Sequence, residues 1–303
     1  MFGFLGSFSV FDGGMAGALK DTGIPDVGYS LGVDRQALTN NFSPQPLRPG
    51  WRTGALQYYK AKYPDVVEHV GAIYGDVPSA RDAYNGEKAA MESLGYKFVY
   101  ENSYEPAQTD FSADVVRMRA NGVKMLIMTG DVNSMARVAQ ELKNQNYSLT
   151  LANYGGNAYD PAFIKLAGND AAEGALLDQS LVMYSGEDRG TVPEADLFLT
   201  WLNKLYPGYQ PDIFAAYSWA AGRLFIQAAE AAGPKLTRAG LLAALSKIDN
   251  FDDFAMLAPA GPASKRPASC YILIRVHDGK FLREDSPGSG FRCDGDFYYK
   301  RQT

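Results

Sequence analysis

Histidine is almost missing from this chain: His69 and His277 are the only two among 303 residues. Cysteine is as scarce, with Cys270 and Cys293 alone. Two thiols are too few for a structural zinc site. His69 fronts an apolar run and His277 stands beside a turn. Neither is placed at the carboxyl end of a strand, where an open α/β sheet holds its ligand. G-x-S-x-G, H-E-x-x-H and Walker sequences are absent, and Gly13-Gly14 and Gly155-Gly156 do not complete a dinucleotide fingerprint. The acid pair Asp252-Asp253 falls on a helix-to-loop boundary and reads as solvated. Basic charge is not in excess: the formal charge is -5, and no basic stripe alternates with aromatics, which argues against nucleic acid as a partner. No apolar run reaches the roughly 20 residues that span a bilayer. The opening MFGFLGSFSV has no basic n-region and no small-residue cleavage site, so it does not read as a secretion signal. No cofactor is implied.

What the chain does have is a repeated α/β phrase, fullest between Phe98 and Asp131. A short apolar strand starts at Phe98, and Thr109 or Asp110 caps a helix with Phe111, Val115, Val116 and Met118 as its apolar positions. Asn121-Gly122 stops that helix, and Val123 to Met128 is an apolar run of strand length that ends in Thr129-Gly130-Asp131. Similar phrases predict strands at Phe2 to Leu5, Gly23 to Val27, Val66 to Tyr74, Leu149 to Ala152 and Ala175 to Val182. Helices follow most of them, and three more are expected between Ala195 and Ile248. A polar loop rich in Asn and Pro runs from Leu31 to Pro49, and a Pro/Gly/Ala-rich segment, Ala258 to Pro267, reads as a linker. Cys270 to Val276 and Lys280 to Arg283 predict a hairpin on an Asp278-Gly279 type I′ turn. Alternation at this spacing predicts an α/β fold of doubly wound parallel sheets. Cys270 and Cys293 bracket the hairpin; paired, they would close a loop worth about 3 kcal/mol in an oxidising compartment, and the alternative is two separate thiols.

Five predicted strand ends carry small or polar groups: Ser7 and Ser9, Tyr29 and Ser30, Ser79, Asp131, and Tyr154 with Asn157. Hydroxyls and free amides at the Ser7 to Ser9 turn suit a carboxylate or another anion. Tyr29 and Tyr154 offer aromatic walls with a hydroxyl. The plainer readings are N-caps for the serines and Asp131, and core or rim positions for the tyrosines.

The order of these motifs resembles the type I periplasmic binding proteins of ABC importers, nearest the leucine/isoleucine/valine-binding branch. The resemblance rests on G-S-F-S after the first strand, Gly23-Ile24-Pro25, Tyr74-Gly75-Asp76, T-D-F-S from Thr109, Gly174 after Asp170 to Glu173, and Ala216-Tyr217 opening an alanine-rich helix. It spans essentially the whole chain, and the G-F-R-C-D-G stretch from Gly290 resembles a C-terminal variant of actinobacterial members.

It implies two lobes joined by three crossings, 1–48 with 179–257 and 49–178 with 258–303, closing on a small ligand that is passed to permease subunits rather than transformed. It also implies an extracytoplasmic place, with the membrane met only through a lipid anchor or the permease. Members begin with a further β-α-β portion and a signal or lipoprotein sequence, so the first lobe is expected to lack its initial strands and to expose an edge. By resemblance Ser7, Phe8, Ser9 and Ser30 stand near the carboxylate-binding positions. Ser79 stands where members place a tyrosine, and Tyr154 where they place a glutamate for the ligand's ammonium. Asp131 or Asp212 is expected to substitute for that glutamate. A sensory receptor domain of the same fold is the alternative, and an enzyme the more distant one.

Overall fold

The computed structural model describes residues 1–47, 50–284, 288–293, 295 and 297–300. In chain order the regular elements are β1 (Phe4–Leu5), α1 (Ala16–Thr22), β2 (Asp26–Val27), α2 (Val33–Gln36), β3 (Asn41–Phe42), β4 (Gly50–Arg52), α3 (Gly54–Lys62), β5 (Val70–Gly75), α4 (Pro78–Ser93) and β6 (Phe98–Tyr104). There follow α5 (Ser112–Ala120), β7 (Met125–Thr129), α6 (Val132–Asn144), β8 (Leu151–Asn153), α7 (Pro161–Ala167), α8 (Asn169–Ala172) and β9 (Leu176–Gln179). The last are α9 (Pro193–Leu205), α10 (Ile213–Ala232), α11 (Arg238–Leu245), β10 (Ile272–His277), β11 (Lys280–Arg283) and β12 (Tyr298–Lys300). Among the described residues the chain divides into two units: Met1–Gly50 with Ser180–Cys270, and Trp51–Gln179 with the residues from Tyr271 to Lys300. The expected division between 48 and 49 lies outside the described residues, as does Asp294 of the G-F-R-C-D-G stretch.

The first unit is built on three parallel two-residue strands in the order β1-β2-β3. The Leu31 to Pro49 stretch, expected to be a plain loop, contains α2 and β3. The reason is Arg35. Its side chain is fully buried, with Nη1 3.0 Å from Asp12 and Nη2 2.7 Å from Asp26, and charges taken from water demand such partners. Asp12 also accepts from the Leu31 and Gly32 amides at 3.0 and 2.8 Å. A β-carbon on Gly28 would stand 2.6 Å from the Ser7 carbonyl, so strand and turn approach only at glycine. α10 buries Ala216, Ala220, Leu224 and Ala228, the helical spacing of one apolar face.

The Ala258 to Pro267 segment is not a linker. Ala258 and Ala260 are buried, Ala258 donates its amide to the Ser180 carbonyl at 2.9 Å, and Gly261 bridges Arg266. These alanines sink into the core as small apolar groups, a role that composition alone does not distinguish from a tether. Asp253 likewise departs from the expected solvated position: it is 1% exposed, turned inward by a run of positive φ at Asp253, Phe254 and Ala255.

The second unit carries a seven-stranded sheet, ordered β11-β10-β9-β8-β7-β5-β6. Strands β5 to β9 pair in parallel, whereas β10 is antiparallel to both β9 and β11, so this sheet is mixed. The hairpin forms as expected, with Asp278 at φ 48° and Gly279 at φ 68°. His277 is the last residue of β10, and because that strand runs antiparallel to β9 it lies beyond the amino ends of the parallel strands, not at their carboxyl ends. Cys270 and Cys293 form a disulfide. Just inside it, Tyr271 and Arg292 exchange backbone hydrogen bonds at 3.2 and 2.8 Å.

Three local expectations shift. β5 begins at Val70, since Pro64–Val66 is a 3-10 turn. Arg52, which the sequence places at the start of a helix running to Tyr63, belongs to β4. On α5, Phe111, Val115 and Met118 are buried but Val116 is 57% exposed, one residue's rotation from Val115.

Candidate ligand-binding site

In the first unit the turns leaving β1 and β2 come together. Gly6 donates to the Val27 carbonyl at 2.8 Å, and the Arg35 guanidinium lies 3.4 Å from the Ser7 carbonyl. This holds the Ser7 to Ser9 turn by its backbone carbonyl. The amides of Ser7, Phe8 and Ser9 meet no acceptor among the described residues. The Ser7 hydroxyl reaches only the Met15 sulfur, at 3.9 Å, and Ser9 Oγ accepts from the Phe11 amide at 3.2 Å.

An aromatic group lines the same turn. The Tyr29 and Tyr217 rings stack at 3.9 Å, and Phe8 packs at 4.8 Å from Tyr29, 4.5 Å from Phe214 and 5.8 Å from Tyr217. Tyr217 is fixed from behind, its hydroxyl donating to Gln45 Oε1 at 2.7 Å, while Phe8 is half-buried and Phe214 exposed. Ser30 stands apart. It is buried, and its hydroxyl accepts from Asn41 Nδ2 at 2.8 Å, so it ties β2 to β3.

In the second unit the predicted groups are not equivalent. Ser79 is buried at the start of α4. Asp131 caps α6: one carboxylate oxygen accepts from the Asn133 and Ser134 amides at 3.0 Å each, the other from Ser134 Oγ at 2.8 Å and Tyr104 at 3.1 Å. Partial burial would raise its pKa, but the bonds from Ser134 and Tyr104 hold it below the usual aspartate value. Asp212 has a similar duty on the first unit, where it caps α10 through the Ala215 amide at 2.7 Å and accepts from Tyr209 at 2.5 Å. Tyr154 is 2% exposed and packs on Phe163 of α7, with ring centroids 5.1 Å apart; burial pushes its phenol up. Its side chain lines a cavity bounded by Asn146 to Ala152, ahead of and into β8, and so lies toward the strands' amino ends. Asn157 reaches the Gly130 carbonyl at 2.8 Å.

A polar row at the strands' carboxyl ends was not anticipated. On the face covered by α3 and α4, Val70, Met125, Leu151 and Leu176 give way to Tyr74, Thr129, Asn153 and Asp178. Asn153 donates to Asp178 at 2.9 Å, and Arg52 lies 3.7 Å from the same carboxylate. Glu87 of α4 is buried against this row, 3.5 Å from the Thr129 hydroxyl. Burial pushes its carboxyl up to about 8, Asp178 adds to the rise, and Arg52 opposes it. The signal was present as a polar residue ending each apolar run, but Glu87 itself reads as an ordinary helix-surface residue. Glu173, His277 and Asp278 form the cluster of metal-ligating side chains found among the described residues; all three are exposed, and Glu173 already meets the imidazole at 2.7 Å.

Two α/β units with polar groups and aromatics at their strand ends have the type I periplasmic binding architecture. The chain belongs to the family described as periplasmic binding protein, which matches residues 1–280. Among solved structures it is similar to a leucine-binding protein from Thermotoga maritima, at 17% identity, covering 94% of this chain and 79% of that one with TM-score 0.73. It is similar to a branched-chain amino acid ABC transporter protein from Thermus thermophilus with bound valine, at 16% identity, 94% and 76% coverage and TM-score 0.74. A third is a fatty acid ABC transporter substrate-binding protein from Thermomonospora curvata, at 17% identity, 97% and 74% coverage and TM-score 0.72. None of the curated proteins matches the chain. Among the described residues no helix is long and apolar enough to cross a membrane.

Proposed function

We propose that this chain is an extracytoplasmic solute-binding protein that closes its two lobes on a small carboxylate with an apolar body and delivers it to the permease of an ABC importer. The observation that carries this reading is the Ser7 to Ser9 turn, where amides without acceptors adjoin the open faces of Phe8 and Phe214. Outward amides of a turn form a fixed positive concavity for an anion, and the adjoining rings supply an apolar wall. Because Asp131 and Asp212 are committed to helix caps, a simple or aromatic acid suits the site better than an α-amino acid, whose ammonium requires a free carboxylate. On this reading the ligand is carried unchanged, in keeping with the absence of a nucleophile arranged with its base among the described residues of the site.

The test is a thermal-shift and calorimetric screen of amino acids, short acids and aromatic acids, repeated on Phe8→Ala. Binding that raises Tm with ligand concentration, as linkage requires, and that weakens about tenfold or more in the variant supports the reading. An acid that binds equally well to Phe8→Ala sinks this location, and preference for an α-amino acid over its deaminated analogue sinks the assignment to simple acids.

A further inference from the structure

The cavity that Tyr154 lines has nothing to do with the carboxyl ends of the strands. It encloses about 410 Å³ at the amino ends of β8 and β9, between α6 and the turn before β9, a size within the roughly 300–1,000 Å³ of small-molecule sites. Its lining is graded. Leu142, Leu149 and Leu151 form an apolar wall, and exposed Lys143 and Ser148 stand at the rim. Tyr154, 2% exposed, also lines the cavity, and its hydroxyl bonds to no described group. A phenol hydroxyl normally finds a partner when its ring is buried, so this one is a donor that a ligand in the cavity would satisfy.

The other charged groups of the lining are already engaged. Arg275 is held by Glu284 at 2.5 and 2.7 Å and by the Gly174 carbonyl at 3.1 Å. Glu173 is held by His277 and by the Asp278 amide. Lys143 has only Asp170, at 3.7 Å and with both side chains exposed, a pairing worth little in water. The available groups are therefore Lys143 at the mouth, loosely paired with Asp170, an apolar middle and the neutral Tyr154 donor.

We propose that this cavity is a second ligand site, for a small organic acid whose carboxylate meets Lys143 and whose far end bears an oxygen that accepts from Tyr154. It is independent of the cleft ligand proposed above and would let a solute other than the cargo act on the second unit.

Ligand-observed NMR and calorimetry on the full chain, with para-hydroxybenzoate and benzoate as probes, test it. Para-hydroxybenzoate is expected to bind more tightly than benzoate by about fivefold, the worth of one neutral hydrogen bond. Tyr154→Phe should abolish that difference, and Lys143→Glu should weaken both probes about tenfold. Absence of saturable binding to the wild-type chain overturns the proposal. So does a para-hydroxyl preference that survives Tyr154→Phe. Should Tyr154→Phe fail to fold, the exposed Lys143→Glu and the rim-blocking Ser148→Trp decide the question, since unchanged binding in both overturns it as well.

Discussion

The two units hold together by different means. The second has a seven-stranded sheet whose central strands are continuous apolar runs, such as Met125 to Thr129. The first has three strands of two residues each, too short to supply much of a backbone ladder. Side chains take over that work. Asn40 donates to the Leu19 and Ile24 carbonyls at 3.0 and 2.7 Å, Gln45 to the Ser180 carbonyl at 2.9 Å, and Arg35 to two buried carboxylates. The difference teaches that an α/β unit with little sheet can still order its strand ends, at the cost of depending on a few polar side chains. Since those ends form the proposed anion site, the first unit's stability and its binding share residues.

The largest test of that contrast is Arg35→Met. It leaves Asp12 and Asp26 buried and unpaired, and breaking a buried pair costs on the order of 3–5 kcal/mol. Denaturant unfolding followed by a probe in each unit should show the first unit melting early while the second is little changed. Equal loss in both would mean that the ionic knot does not belong to the first unit alone. Replacing Cys270 and Cys293 together by serine is the converse perturbation. Loop closure by the disulfide is worth about 3 kcal/mol; Cys270 ends the first unit's segment, but the hairpin that the bond encloses belongs to the second unit, where the loss should fall. A thiol titration before and after denaturation, beside the melting curves, checks both the bond and its effect.

Each unit also buries one carboxyl whose pKa is pushed up to about 8: Glu87 in the second, Asp253 in the first. Burial is the main cause in both. For Asp253 the neighbouring Glu194 adds to the rise, against Arg223. The folded chain therefore keeps protons that the unfolded chain releases near 4.5 and 3.8. Between those values and about 8 each group subtracts stability as pH rises. Glu87→Gln should lie close to the wild type near pH 5 and exceed it by on the order of 4 kcal/mol above pH 8. Asp253→Asn should do the same for the first unit. A variant less stable than wild type at high pH would show that the ionised carboxylate is held favourably in the folded state.

These contrasts follow what was legible in the sequence. The Phe98 to Asp131 phrase could be read almost residue by residue, because a helical face, an Asn-Gly stop and an apolar strand are local signals. Asp278-Gly279 was legible for the same reason: its turn type dictates its residues. Arg35 and Gln45 were not, because their partners lie elsewhere, Gln45 reaching a carbonyl 135 positions away. In the Ala258 to Pro267 segment, burial decides between linker and core, and composition does not carry burial. Of the site, the strand ends were found as positions, but which side chains stay available depends on hydrogen bonds that the sequence does not state. Ser30 and Asp131 are spent on structure, whereas the Phe214 wall and the polar row beside Glu87 emerge only on folding.

Asp131 provides the smallest and most discriminating test, because cap and ligand partner make opposite demands on one carboxylate. As a cap it bonds two amides and two hydroxyls within the second unit, and Asp131→Ala should cost about 1 kcal/mol at neutral pH. Its pKa is held below the ordinary 3.8, so the cap's contribution is present above that value and is lost as pH falls through the lower, folded one. The stability curves of wild type and variant should accordingly converge in acid, while affinity for a simple carboxylate stays unchanged at pH 7. If Asp131 instead paired with a ligand's ammonium, the variant would lose affinity for amino acids alone and keep most of its stability.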